Sequence, residues 1–131
     1  MEIRVFKYDK KKHLQDIYRF LLSRKMDPKE VDTLPHVGFI GYYGDKPVGA
    51  IFLRTCEGHI AWLDSLITDE HVDSLARNLV IDELTNRVLA YAKEYEFRKV
   101  VGFSIDENTI KRAERHGFKV LWHKVFSKEL V

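Results

Sequence analysis

"GYYGDKPVGAIFLR" (41–54) sets two apolar runs on either side of Gly44, Asp45, Lys46 and Pro47. Glycine and proline at those positions supply turn chemistry, and the flanking residues favour strands. Residues 36–58 therefore read as a β-hairpin. A third strand-like run, "HIAWLDSLIT" (59–68), follows at once. Three consecutive strands form the frame on which the rest of the chain is placed.

Upstream, "EIRVFKY" (2–8) alternates as a strand does. Residues 11–25 set Leu14, Ile17 and Leu21 on one helical stripe, with Tyr18 and Leu22 beside it. Pro28 opens a further helical turn over 28–34. Downstream, 71–96 predicts a long helix whose core stripe is Val80, Leu84, Val88, Tyr91 and Tyr95, continued by Leu75 and Leu79. A buried strand over 98–105, a short helix over 108–116 and a last strand, "FKVLWHKVFS" (118–127), complete the order. Strands followed by alternating helix and strand predict an α/β mixed sheet of six or seven strands in one domain, 1–131. Strand 98–105 should lie parallel to 59–68 through a right-handed crossover.

The 131 residues are 45% hydrophobic and 32% charged, ordinary for one globular domain. A net charge of +2 argues against nucleic acid as the main partner. The basic stretch "YDKKKHLQ" (8–15) reads as a solvated helix start. No apolar run approaches the ~20 residues that span a bilayer, and the charged first residues do not read as a signal peptide. The one cysteine, Cys56, excludes an intramolecular disulfide and points to the reducing cytosol. The six histidines show no His-x3-His spacing, so no metal is expected.

Polar residues that interrupt apolar elements are the candidates for chemistry. Asp64 and Ser65 break the strand "WLDSL". They read either as a base with its neighbour or as solvent-facing strand positions. Glu57 and His59 flank Gly58 at a turn, where hydration alone explains them. Asp73 or Ser74 caps the long helix, and Arg77 and Asn78 in its first turns suit an anion drawn to free N–H groups.

Three stretches carry a family resemblance: the hairpin 41–54, "DSLITDEH" (64–71), and "AYAKEYEFRKVVGFS" (90–104) with "ERHGFKV" (114–120). In that order and at those lengths the chain resembles the GNAT (GCN5-related N-acetyltransferase) family. The resemblance implies a GNAT-like acyl-CoA N-acyltransferase fold, acetyl-CoA as co-substrate and an amine acceptor, small molecule or protein. A homodimer is compatible with it. By position it implies Asp64 and Ser65 as catalytic residues, Leu66 and Ile67 as backbone donors to the thioester oxygen, and Arg77, Asn78 and Asn108 as cofactor contacts.

The chain also departs from the family pattern. The family's glycine-rich pyrophosphate loop falls on "ARNLVI" (76–81), and no glycine occurs between Gly58 and Gly102. With Arg77 in register, Val80 and Asp82 take the glycine positions, and Asp82 would repel phosphate. Ala113 stands at the place of the family's acid tyrosine, and the family asparagine falls at Asp106, two residues before Asn108. The expectation is an N-acetyltransferase with a degenerate loop, holding acetyl-CoA no tighter than about 0.1 mM. The alternative is a catalytically inactive GNAT-like binding or structural module, similar to short acetyltransferase-like proteins of phage genomes. An adaptor that holds coenzyme A without transferring acetyl lies between the two.

Overall fold

The computed structural model describes residues 1–130. Five strands form one sheet in the order β1-β2-β3-β4-β5: β1 (Ile3–Lys7), β2 (Val37–Tyr43), β3 (Lys46–Thr55), β4 (Ile60–Thr68) and β5 (Lys99–Val101). The first four pair antiparallel, and β5 joins β4 in parallel, as the intervening helix requires. Gly44 makes the β2–β3 turn at φ 63, a conformation glycine adopts without strain.

Helix α1 (Lys10–Ser23) covers one face, where Ile17, Phe20 and Leu21 pack on Ile40, Ala50, Phe52 and Ile67. Asp9 caps it by accepting from the Lys11 N–H at 3.0 Å. A 3-10 segment, Pro28–Thr33, extends that layer and buries Val31. Helix α2 (Ser74–Glu94) covers the opposite face, and Val80, Leu84 and Val88 meet Phe39, Val48, Ile51 and Leu53. The fit is close: a Cβ built on Gly41 would stand 2.5 Å from Val80 Cγ1. Only glycine lets α2 settle this near β2.

The buried stripe of α2 differs from the expected one at both ends. Leu75 and Leu79 are exposed, as is Tyr95, while Ala76, Ile81, Thr85 and Ala92 are buried. Ala76 and Ala92 belong to the cluster between helix and sheet, where small side chains let the helix lie close. The sheet is also smaller than the six or seven strands expected. Pairing of β5 ends at Val101 instead of reaching 105, and residues 118–127 form no strand. Apolar alternation gave both segments strand character, but a strand exists only where a partner satisfies its backbone, and here none does.

Helix α3 (Glu107–Arg115) buries no side chain of its own. Polar contacts tie it to α2 instead. Asp82 lies 3.0 Å from His116 Nε2 and 3.4 Å from Arg115 Nη2, and Arg112 Nη2 donates to Asn78 Oδ1 at 3.1 Å.

Candidate active-site cleft

β4 and β5 share three residue pairs, Ile60–Lys99, Ala61–Val100 and Trp62–Val101, and then part. Residues 63–68 of β4 consequently have no partner on the β5 side, and a cleft of about 780 Å³ opens there. The starts of α2 and α3 and the end of the 3-10 segment close its sides. The seven residues that the resemblance implied as catalytic or cofactor contacts line this one cleft: Asp64, Ser65, Leu66, Ile67, Arg77, Asn78 and Asn108; Glu57 and His59 do not.

Asp64 and Ser65 share it because of a bulge. Phe52 pairs with Ser65 and Leu53 with Leu63, so Asp64 is an extra residue with no partner on β3. Regular alternation would send adjacent residues to opposite faces; a bulge re-aims one of them. The result is that Ser65 Oγ donates to Asp64 Oδ1 at 3.1 Å. Asp64 Oδ2 is held by Arg54 Nε at 2.8 Å, and Arg54 Nη2 in turn donates to the Thr33 carbonyl at 2.8 Å. The 3-10 segment is thereby fastened to the bulge through one guanidinium.

The far wall is cationic and capped. Asp73 accepts from the Leu75 N–H and starts α2. Asp106 starts α3, accepting from the Thr109 N–H at 3.1 Å and its hydroxyl at 2.8 Å. The Thr109 hydroxyl bond, with the backbone bond behind it, lowers the Asp106 pKa below 3.8. Arg77 from α2 and Arg112 from α3 converge here, and the Nε atom of each is buried without a hydrogen-bond partner. Those two atoms are covered by protein, so an anion in the cleft would meet the outer nitrogens of the two guanidinium groups. Arg24, deeper along the same wall, is already engaged by Thr68 through its hydroxyl at 2.6 Å and its carbonyl at 3.2 Å.

Asp82, expected to repel phosphate, does not line the cleft; it faces α3 and is engaged by His116 and Arg115. The expected repulsion is therefore removed by geometry: position 82 lies in the third turn of α2, well inside the helix that begins at Ser74. Sequence reasoning missed Arg112 and Arg54. Arg112 falls four residues after Asn108 on a helix, which places both on one face, and that spacing was the available signal. Arg54 offered none, because its role depends on a bulge ten residues away. Among the described residues, no three His, Cys, Asp or Glu side chains gather as a metal site, and no helix is long and apolar enough to cross a membrane.

Strand order, the parallel β4–β5 pair and the cleft where they part define the GNAT acyltransferase fold, and solved structures bear this out. A GNAT-family acetyltransferase from Streptococcus pneumoniae TIGR4 superposes with a TM-score of 0.73 at 16% identity, covering 97% of this chain and 98% of that one. An aminoglycoside acetyltransferase from an uncultured soil metagenomic sample, solved with sisomicin, gives 0.69 at 16% identity with 97% of each chain covered. AAC(6')-Iy, solved with the bisubstrate analogue CoA-S-monomethyl-acetylneamine, gives 0.69 at 18% identity over 100% of both chains. No family model and no curated protein matches the sequence.

Proposed function

We propose that this chain is an N-acetyltransferase that carries acetyl from acetyl-CoA to an amine. The observation behind this is the pair of arginines, Arg77 from α2 and Arg112 from α3, that line one cleft where β4 and β5 part. A pyrophosphate would complete that set. It would take the place that backbone N–H groups hold in glycine-rich loops, with side chains in their stead.

Bound there, acetyl-CoA would supply the activated acetyl thioester. Asn78 and Asn108 stand on the same wall as the two arginines. Leu66 and Ile67 lie on the unpaired length of β4, where a backbone N–H can face the acetyl oxygen. Asp64, directly or through water, would accept the proton of the incoming amine, with Ser65 fixing one of its oxygens. The single exposed thiol, Cys56, accords with a cytoplasmic protein.

One observation favours the second reading, a binding module without turnover. The Asp64 carboxylate is already held by both Arg54 and Ser65, and Ala113 provides no hydroxyl acid. Two measurements separate the readings. Acetyl-CoA at a hundredfold excess over Kd should stabilise the fold by about 2.7 kcal/mol, and free thiol should then appear when amines are added. Stabilisation without thiol release across amine classes selects an adaptor that holds coenzyme A, and no stabilisation leaves only the partner-binding or structural module.

A further inference from the structure

A second cleft, of about 920 Å³, lies on the α1 face of the sheet, across the 3-10 segment from the first. No residue of β4 or β5 lines it, so it takes no part in the proposed transfer. Phe6, Tyr8 and Tyr42 give it an aromatic wall, and its size suits a small molecule.

His13 stands in this cleft with half of its hydrogen bonding unused. The residue is 8% exposed, and the Asp9 N–H donates to its Nδ1 at 2.9 Å. A nitrogen that accepts carries no proton, so the neutral ring holds its proton on Nε2. Among the described residues Nε2 has no protein partner, although His13 lines the cleft. Unlike the Nε atoms of Arg77 and Arg112, it is not covered by protein, so an acceptor in the cleft can reach it.

The surrounding charges select an acceptor of one sign. α1 opens with three lysines and no acidic residue in its first turn, although cations are disfavoured at the positive end of a helix. Lys10 and Lys12 line the cleft together with Lys7 from β1; Lys11 does not. Asp9 and Asp32 also line it, so with the histidines neutral one positive charge is left unbalanced. Burial, above all, raises the pKa of Tyr8 and of Tyr42 from 10.0, so neither ring becomes an anion that would repel another.

We infer that this second cleft binds an aromatic monocarboxylate. The carboxylate accepts from His13 Nε2 and is attracted by Lys10 and Lys12, while the ring packs against Tyr8 and Tyr42. One unbalanced positive charge matches a single carboxylate, and Asp32 disfavours a phosphate that carries two charges. The site is independent of whether the chain transfers acetyl.

The test is an NMR titration of the full chain with benzoate, and with benzamide and inorganic phosphate as controls. Benzoate should shift the ring resonances of His13, Tyr8 and Tyr42 saturably, with a Kd of about 1 mM or tighter. Benzamide lacks the charge and phosphate lacks the ring, and each should bind at least about tenfold more weakly. His13→Asn keeps an oxygen for the Asp9 N–H and removes the outer donor. It should leave the circular dichroism spectrum in place and weaken benzoate about tenfold or more. Lys10→Gln and Lys12→Gln should each weaken benzoate about threefold, whereas Lys11→Gln should not. Benzamide or phosphate binding as tightly as benzoate would overturn the proposed class of ligand. No saturable shift, an unchanged affinity in His13→Asn, or an equal loss in Lys11→Gln would overturn the site.

Discussion

Arg112 on α3 donates to Asn78 on α2 across 3.1 Å, though 34 residues separate them. The bond draws a guanidinium from the last turn of α3 toward the start of α2. Hydrogen bonds to charged groups are worth about 1.5–3 kcal/mol. Arg112→Ala and Arg77→Ala should each weaken acetyl-CoA at least about tenfold, and added salt should weaken the parent further. Calorimetry at two ionic strengths checks this; unchanged affinity in both variants would move the anion site elsewhere.

Asp64 offers a second contrast, between charge and tether. Asp64→Asn should lower acetyl transfer by about a hundredfold or more while acetyl-CoA affinity stays near the parent's. Arg54→Met should instead release the Thr33 carbonyl from β3 and raise the KM for the amine. Because the Arg54–Asp64 pair is partly solvated, at 47% and 23% side-chain exposure, its loss should cost no more than about 1 kcal/mol of stability. Steady-state kinetics and urea titration together separate the two roles.

The seat of α2 on β2 predicts a large effect from one methyl group. Gly41→Ala places carbon 2.5 Å from Val80 Cγ1 and 3.3 Å from Leu84 Cγ, so helix and sheet must move apart. Overpacking of this kind destabilises by about 1–3 kcal/mol. Adding Val80→Ala should recover part of the loss, and chemical denaturation of the single and double variants reads both.

Acid should loosen α3 at its cap. The folded pKa of Asp106 is lowered, first by the Thr109 hydroxyl, so its stabilising contribution is present above the ordinary value of 3.8 and is lost as pH falls through the folded value. The Thr109 amide resonance should titrate with a midpoint below 3.8 in the parent. In Asp106→Asn, which keeps a good cap without a charge to titrate, that transition should vanish.

The hairpin was readable because Gly44 and its neighbours encode a turn locally, and the helices because their apolar periods are local as well. The seven cleft residues come from the family resemblance, which assigns positions by strand and helix order, and the structure shows only that they line one cleft. Arg112 escaped notice because, in a helix as charged as "ENTIKRAER", a functional arginine looks like a solvated one. What makes it distinct is its reach to Asn78, a contact between elements far apart in sequence. The same applies to residues 102–105 and 118–127. Their apolar pattern records what they would bury, while pairing depends on a partner strand that the local sequence does not specify.

The extra residue at Asp64 also sets a reading frame for the end of β4. Leu63 pairs with Leu53 on the α2 side, yet Ser65 pairs with Phe52 and Ile67 with Ala50 on the α1 side. Odd-numbered positions thus change faces at residue 64. Replacing Asp64 alters one side chain. Deleting it would remove the bulge and leave the later pairs in place, Ser65 opposite Phe52, Leu66 opposite Ile51 and Ile67 opposite Ala50. Along this strand, a one-residue gap at position 64 should therefore cost the carboxylate and the local bend but not the register, whereas the same gap at Leu66 would turn Ile67 out of the α1 core.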